Sequence, residues 1–275
     1  MIVLVRLDFF SPYFAYPLYM FHGRGLVAPA LSTLIGALAS LYYAPHEQSD
    51  IGDFAKKVEY ATFWVPRCYV EVENPARHFT GYFQKKRRLA VLHRVLTAER
   101  LNDELIRELD VNIRGVNAAG LRRLGAPDSA IKRAAIASLM SPGTRREVYY
   151  AESAYVLYIL SDDVAHLPRH LYRLGQKETL VAATLIDVKI LEGELPAKTR
   201  FYAPLEALGG SCNGVEVVYM AEKPFASPDE ARLKPYCVPR PHLDIPIASV
   251  GQGWRVVKLV GDGVALTAVV PEHAV

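Results

Sequence analysis

Cysteine, glutamine and asparagine are scarce in this chain, and each shortage excludes something. The 275 residues hold three cysteines, four glutamines and five asparagines. Cys68, Cys212 and Cys237 form no CxxC pair, and an odd count argues against a disulfide framework and for a reducing, cytoplasmic interior. Few amides beside many Val, Leu, Ala and Tyr give a composition that leans towards a thermophile. There is no GxSxG elbow, no P-loop and no GxGxxG. His166 and His170 are four apart, but Pro168 between them spoils a helical ligand pair and no Glu completes a zincin motif. No metal, no cofactor and no catalytic residue is therefore expected. Met1 to Phe10 is apolar yet carries Arg6 and Asp8, so it does not read as a signal-peptide core.

The longest stretch without charge runs from Leu26 to Ala44. Hydropathy alone makes it a candidate membrane span. Its neighbours favour a buried helix instead, because Pro29 opens it and Ser32 is placed to cap it. Leu34, Ile35, Leu38, Leu41 and Tyr42 then share one face, while Gly36, Ala37 and Ser40 make the other side small. No membrane association is expected.

Charge is unevenly spread. Between Gly81 and Arg146 fourteen bases meet six acids, so this segment carries +8 while the rest of a chain of net charge +3 carries −5. A basic block on a mildly acidic body fits a polyanion partner.

Val3, Val5, Leu7 and Phe9 alternate with Leu4, Arg6 and Asp8, which predicts a strand with one buried face. Val58 to Glu73 reads as one or two strands around Pro66. From Lys85 to Met140 the spacing becomes helical, with Leu89, Leu92 and Leu96 on one face and Leu101, Leu105 and Leu109 on another. Strand character returns over Val148 to Leu160 and Leu180 to Ile190, with a short helix between Ala165 and Tyr172. Arg255 to Val270 is a hairpin around Gly261-Asp262-Gly263. This order predicts an α+β fold: a ferredoxin-like (RRM-like) core over 1–192 with a helical thumb insertion at about 81–146, and a smaller β-rich part over 193–275.

Three groups of residues could bind nucleic acid. Arg173-Leu174-Gly175-Gln176-Lys177 sets two cations around a glycine that lets backbone approach a phosphate. Tyr16, His22 and Arg24 sit in an aromatic loop over Ser11 to Arg24, where a ring beside a cation can stack an unpaired base. The other rings of that loop, Tyr13 and Phe14 among them, are better explained as core. Lys85, Lys86, Arg87 and Arg88 open the insert and Arg145 and Arg146 close it, so a finger would gather six cations against phosphates. As an alternative, His22, Tyr16 and Lys177 could be cast as a metal-independent ribonuclease set.

Taken in order, these pieces resemble a known family. Tyr16-Pro17 followed by Pro29-Ala30-Leu31-Ser32-Thr33-Leu34-Ile35-Gly36-Ala37-Leu38-Ala39 is similar to the N-terminal signature of the CRISPR-associated Cas-five family, a subunit of type I Cascade complexes. Ala30-Leu31 replaces part of that family's proline run. Arg173 to Val181 resembles its Gly-Lys-Glu-Ser segment, with Gln176 in place of a second glycine and Thr179 in place of serine. The resemblance implies a ferredoxin-like domain with a thumb that caps the 5′ handle of CRISPR RNA. It implies contact with a Cas-seven type backbone subunit and with the large subunit of the effector complex. The long insert leans towards the archaeal type I-A branch. One branch, type I-C, also cuts precursor RNA with a Tyr/Lys/His set, but no adjacent Lys-His pair here matches it, so catalysis is not carried over.

Overall fold

The computed structural model describes residues 1–13, 28–43, 51–73, 85–113, 116–140, 146–175, 179–194, 197–225 and 232–275. β1 (Ile2–Phe9) leads into α1 (Leu31–Tyr42) and the short α2 (Ile51–Ala55), then β2 (Val58–Trp64) and β3 (Cys68–Glu73). Four helices follow: α3 (Lys85–Thr97), α4 (Asp103–Asn112), α5 (Ala118–Arg123) and α6 (Asp128–Met140). Next come β4 (Arg146–Ala151), β5 (Ser153–Leu160), 3-10 turns over Asp162–Val164 and Leu167–His170, β6 (Val181–Ile186) and β7 (Lys189–Glu192). The last part is β8 (Ala197–Thr199), β9 (Ala203–Pro204), β10 (Glu216–Ala221), β11 (Leu233–Val238), β12 (Ile245–Ile247), β13 (Trp254–Gly261) and β14 (Val264–Pro271).

The central sheet has the order β2-β5-β1-β6, with every neighbouring pair antiparallel. That is the split β-α-β arrangement of a ferredoxin-like core. Helix α1 makes the first crossover. The second crossover holds 3-10 turns where a short helix is predicted, because Pro168 enters the second position of Leu167–His170 and denies an amide to a longer helix.

Period-two alternation decides what each sheet face meets. Val3, Val5 and Leu7, with Val156 and Tyr158, turn to Leu31, Leu34 and Leu38 of α1. Each leucine fully buried there contributes about 1.5–3 kcal/mol. Leu4, Leu157 and Ile159 turn the other way, onto Val257, Leu259, Leu266 and Ala268 of the β13–β14 hairpin. The hairpin turn is as predicted, with Asp262 and Gly263 both at positive φ. Because the hairpin lies on it, that part of the sheet face cannot serve as the open stacking platform of an RRM.

Several expectations need correction. Ser32 does not cap α1. The chain is extended at Ala30 (φ −64°, ψ 159°) and already helical at Leu31, so Ala30 is the cap residue and no side chain caps the first turn. The uncharged run becomes a 12-residue helix, and no helix among the described residues is long and apolar enough to cross a membrane. The face expected from Leu89, Leu92 and Leu96 divides. Leu92 is buried with Val91 and Val95, while Leu89 and Leu96 are 46% and 41% exposed. Arginines on both sides of this helix make either face look polar, so leucine spacing alone misplaces the seam. Leu180 to Ile190 is two strands, since β6 belongs to the central sheet and β7 leaves it to pair with β13.

The absence of a disulfide is also overturned. Cys212 and Cys237 are joined, with Cα atoms 5.4 Å apart, tying the turn before β10 to β11. Their 25-residue separation hides this approach, which depends on β11 pairing with β9 and β10. Cys68 is free.

The insert has its own core of Val91, Val95, Ile106, Leu109, Leu121, Ile131 and Ala134. Asn102 caps α4 by accepting the Leu105 amide at 2.9 Å. This block is not a free-standing finger. Leu233 of β11 enters its core, and the Leu233 amide donates to the Leu124 carbonyl at 2.8 Å.

Candidate nucleic-acid interface

The two segments that carry the family resemblance lie about 140 residues apart in sequence, and the fold packs one on the other. At its far end β1 runs on through Phe10 and Ser11 to Pro12. Tyr13 beyond them forms a bridge with Tyr149, and its ring stacks on Phe9 at 5.1 Å and on Tyr149 at 5.3 Å. Burial pushes the Tyr13 hydroxyl well above its ordinary pKa. Tyr13 is therefore core, as expected for most rings of that loop.

The glycine turn is built against this strand end. Arg173 bridges Leu180, and the Leu174 amide donates to the Thr179 carbonyl at 3.1 Å. Leu174 and Thr179 are buried beneath it. The Thr179 hydroxyl donates to the Pro12 carbonyl at 3.2 Å, and Ser11 Oγ accepts the Leu180 amide at 2.7 Å. Thr179 thus anchors the glycine turn to the end of β1.

Gly175 has φ +79°, in the left-handed region that other residues occupy at a cost of roughly 1–2 kcal/mol. A Cβ built there would lie 3.0 Å from the Thr33 methyl, so the turn rests directly on the first turn of α1. That first turn has no side-chain cap. Its amides carry the positive end of the helix dipole, which favours an anion. Arg173, two residues before Gly175, has its guanidinium carbon 5.2 Å from the Tyr172 ring centre, and no acidic side chain pairs with it among the described residues.

The basic insert divides into two sets of cations. Arg94 pairs with Glu108, Arg122 pairs with Asp103 at 3.1 Å and Asp128 at 3.4 Å, and Lys132 donates to the Ala98 carbonyl at 2.6 Å. These hold the insert together. Lys85, Lys86, Arg87 and Arg88 instead form the first turn of α3, where no acid accompanies them. Four cations at the positive end of a helix dipole oppose it. Arg87 is exposed and Arg88 half-buried. At the other end of the insert, Arg146 opens β4 opposite Glu73 of β3. The ribbon β3–β4 therefore sets the residue that closes the insert beside the end of β3.

The structure thus joins Gly175 to the start of α1, sets Arg173 on the bridge to Leu180 and places Arg87 and Arg88 on a separate element. Tyr16, His22, Arg24, Arg145 and Lys177 lie outside the described residues, as does the whole His22, Tyr16 and Lys177 set. Two exposed rings were missed at sequence level. Phe10 is 73% exposed and Tyr172 is 50% exposed, and both adjoin the glycine turn. Phe10 continues the alternation of β1 by one residue, and Tyr172 directly precedes Arg173. Those positions were the available signal. Among the described residues no group of three or more His, Cys, Asp or Glu could hold a metal ion.

No family model matches the sequence, and no curated protein sequence matches it. A solved structure described as the crystal structure of a CRISPR protein from Archaeoglobus fulgidus is similar in chain path. The likeness covers 98% of this chain and 99% of that one, at 13% identity and a TM-score of 0.48.

Proposed function

We propose that this chain is a non-catalytic RNA-binding subunit of a CRISPR effector complex of the Cascade type. It caps the 5′ handle of the guide RNA and contacts a Cas-seven type backbone subunit and the large subunit. The long insert and amide-poor composition favour the archaeal type I-A branch. The observation that carries the reading is the packing of Gly175 on Thr33, which joins the two segments resembling the Cas-five family. There a left-handed glycine meets an uncapped helix start, two residues after an arginine without an acidic partner among the described residues, and each favours an RNA phosphate. Arg87 and Arg88 in the first turn of α3 add a second anion-seeking site, where their opposition to the helix dipole is relieved when a polyanion binds.

The test is binding of repeat-derived RNA with and without its 5′ handle, at matched salt. The intact handle is expected to bind more tightly, and alanine at Arg173 and Lys177 to weaken it and to lower the salt dependence by about one ion per cation removed. Equal binding of handle-deleted RNA would remove handle recognition. Incubating the protein with repeat RNA in EDTA is expected to leave the RNA intact, and a single specific cut would make the chain a ribonuclease instead.

A further inference from the structure

Phe10, Leu180 and Arg173 lie side by side across three chain segments. Phe9 pairs with Val181, the Phe10 amide donates to the Leu180 carbonyl at 3.0 Å, and Leu180 bridges Arg173. Paired residues of a ladder point to the same side, so these three side chains form one row. The row is open to solvent, with Phe10 73% and Leu180 47% exposed. At its end the Arg173 guanidinium covers the ring of Tyr172, itself half exposed. Single exposed apolar residues are ordinary. A contiguous row of ring, leucine, cation and ring beside a phosphate-seeking turn is not.

We infer that Phe10 and Tyr172 stack unpaired bases of the bound RNA, while Arg173 and the Gly175 turn hold its phosphates. This rests on the RNA-binding reading above and assigns its base-contacting residues. The dimensions agree. Phe10 and Arg173 stand two strand spacings apart, about 10 Å, which is about three rises of a stacked strand. The chemistry also agrees, because a ring accepts any base face and a guanidinium laid on a ring adds a cation–π partner. A protein partner fits less well. Three apolar side chains fall far below the ~800 Å² that each side of a stable protein interface buries. Both rings are exposed, so removing them leaves the core untouched.

The experiment uses the full-length protein and a single-stranded repeat-derived RNA with 2-aminopurine substituted through its 5′ handle. Affinity and fluorescence quenching are measured together. The wild-type protein is expected to quench at least one handle position. Phe10→Ala and Tyr172→Ala are each expected to weaken binding roughly 5- to 150-fold and to lose quenching at distinct positions, with the salt dependence unchanged. Tyr172→Phe is expected to keep both. Arg173→Ala is the contrasting variant, expected to lower the salt dependence. If the alanine variants bind and quench like wild type while Arg173→Ala weakens, stacking is overturned and RNA binding stands. If they bind RNA normally but fail to assemble with partner subunits, the row is a protein contact and stacking is again overturned. If wild-type protein binds none of these RNAs, the RNA-binding reading itself falls.

Discussion

Replacing Gly175 with alanine tests the site at its most constrained atom. Three effects compete. Holding alanine at φ +79° costs roughly 1–2 kcal/mol of left-handed strain. The unfolded chain loses freedom, which returns about 0.4–1 kcal/mol to stability. The new Cβ meets the Thr33 methyl at 3.0 Å, so the turn must lift from α1 by a few tenths of an ångström. The net expectation is a loss of about 1–2 kcal/mol in urea unfolding, together with weaker RNA binding because the phosphate-facing amides move. Thr33→Ser removes the offending methyl, so the double variant should recover the steric share and keep the backbone share. A double-mutant cycle measures this coupling directly. Should Gly175→Ala match wild type in both urea midpoint and RNA affinity, neither the left-handed turn nor its seat on α1 matters as argued.

Three further outcomes are expected. Cys212→Ser, or reduction of wild type, opens a loop of 25 residues and should cost about 3.5 kcal/mol on a loop-entropy basis; two free thiols at these positions in unreduced protein, counted by mass spectrometry, would refute the bond. Tyr202 buries a hydroxyl without a hydrogen-bond partner among the described residues, so Tyr202→Phe should leave the thermal midpoint unchanged or raise it, by up to about 1–3 kcal/mol of relieved desolvation, and a clear drop would mean that the hydroxyl has a partner. Burial pushes the Cys68 thiol from 9.0 up to about 11; a raised folded pKa contributes stability below the unfolded value that is lost as pH climbs through about 11, and iodoacetamide at pH 8 should label native Cys68 about 100-fold more slowly than the unfolded chain.

Period-two alternation in β1 and the Gly261-Asp262-Gly263 turn were legible because each is a local pattern. The strand order followed from the sequence of elements, and the glycine turn from its composition. What stayed hidden depends on pairing between distant segments. Cys237 reaches Cys212 only because β11 pairs with β10. Leu233 enters the helical insert from a strand about 100 residues further on. The helix start was misread because a serine at the second helical position looks like a cap, and only backbone angles distinguish them. Exposure of Phe10 and Tyr172 was signalled by their positions alone, and aromatic residues in a loop are as often core, as Tyr13 is.

The β13–β14 hairpin lies on the central sheet, yet a ribosome makes it some 250 residues after β1. Until then Leu4, Leu157 and Ile159 lack the hairpin's cover, and until β11 is made the insert lacks Leu233. The nascent chain therefore cannot complete the insert's core before β11 is made, nor cover this sheet face before β14 is made, and such long-range closure is slow and prone to aggregation. This timing favours co-expression with RNA and partner subunits that capture the chain as it closes, and it predicts that fragments ending before residue 254 precipitate.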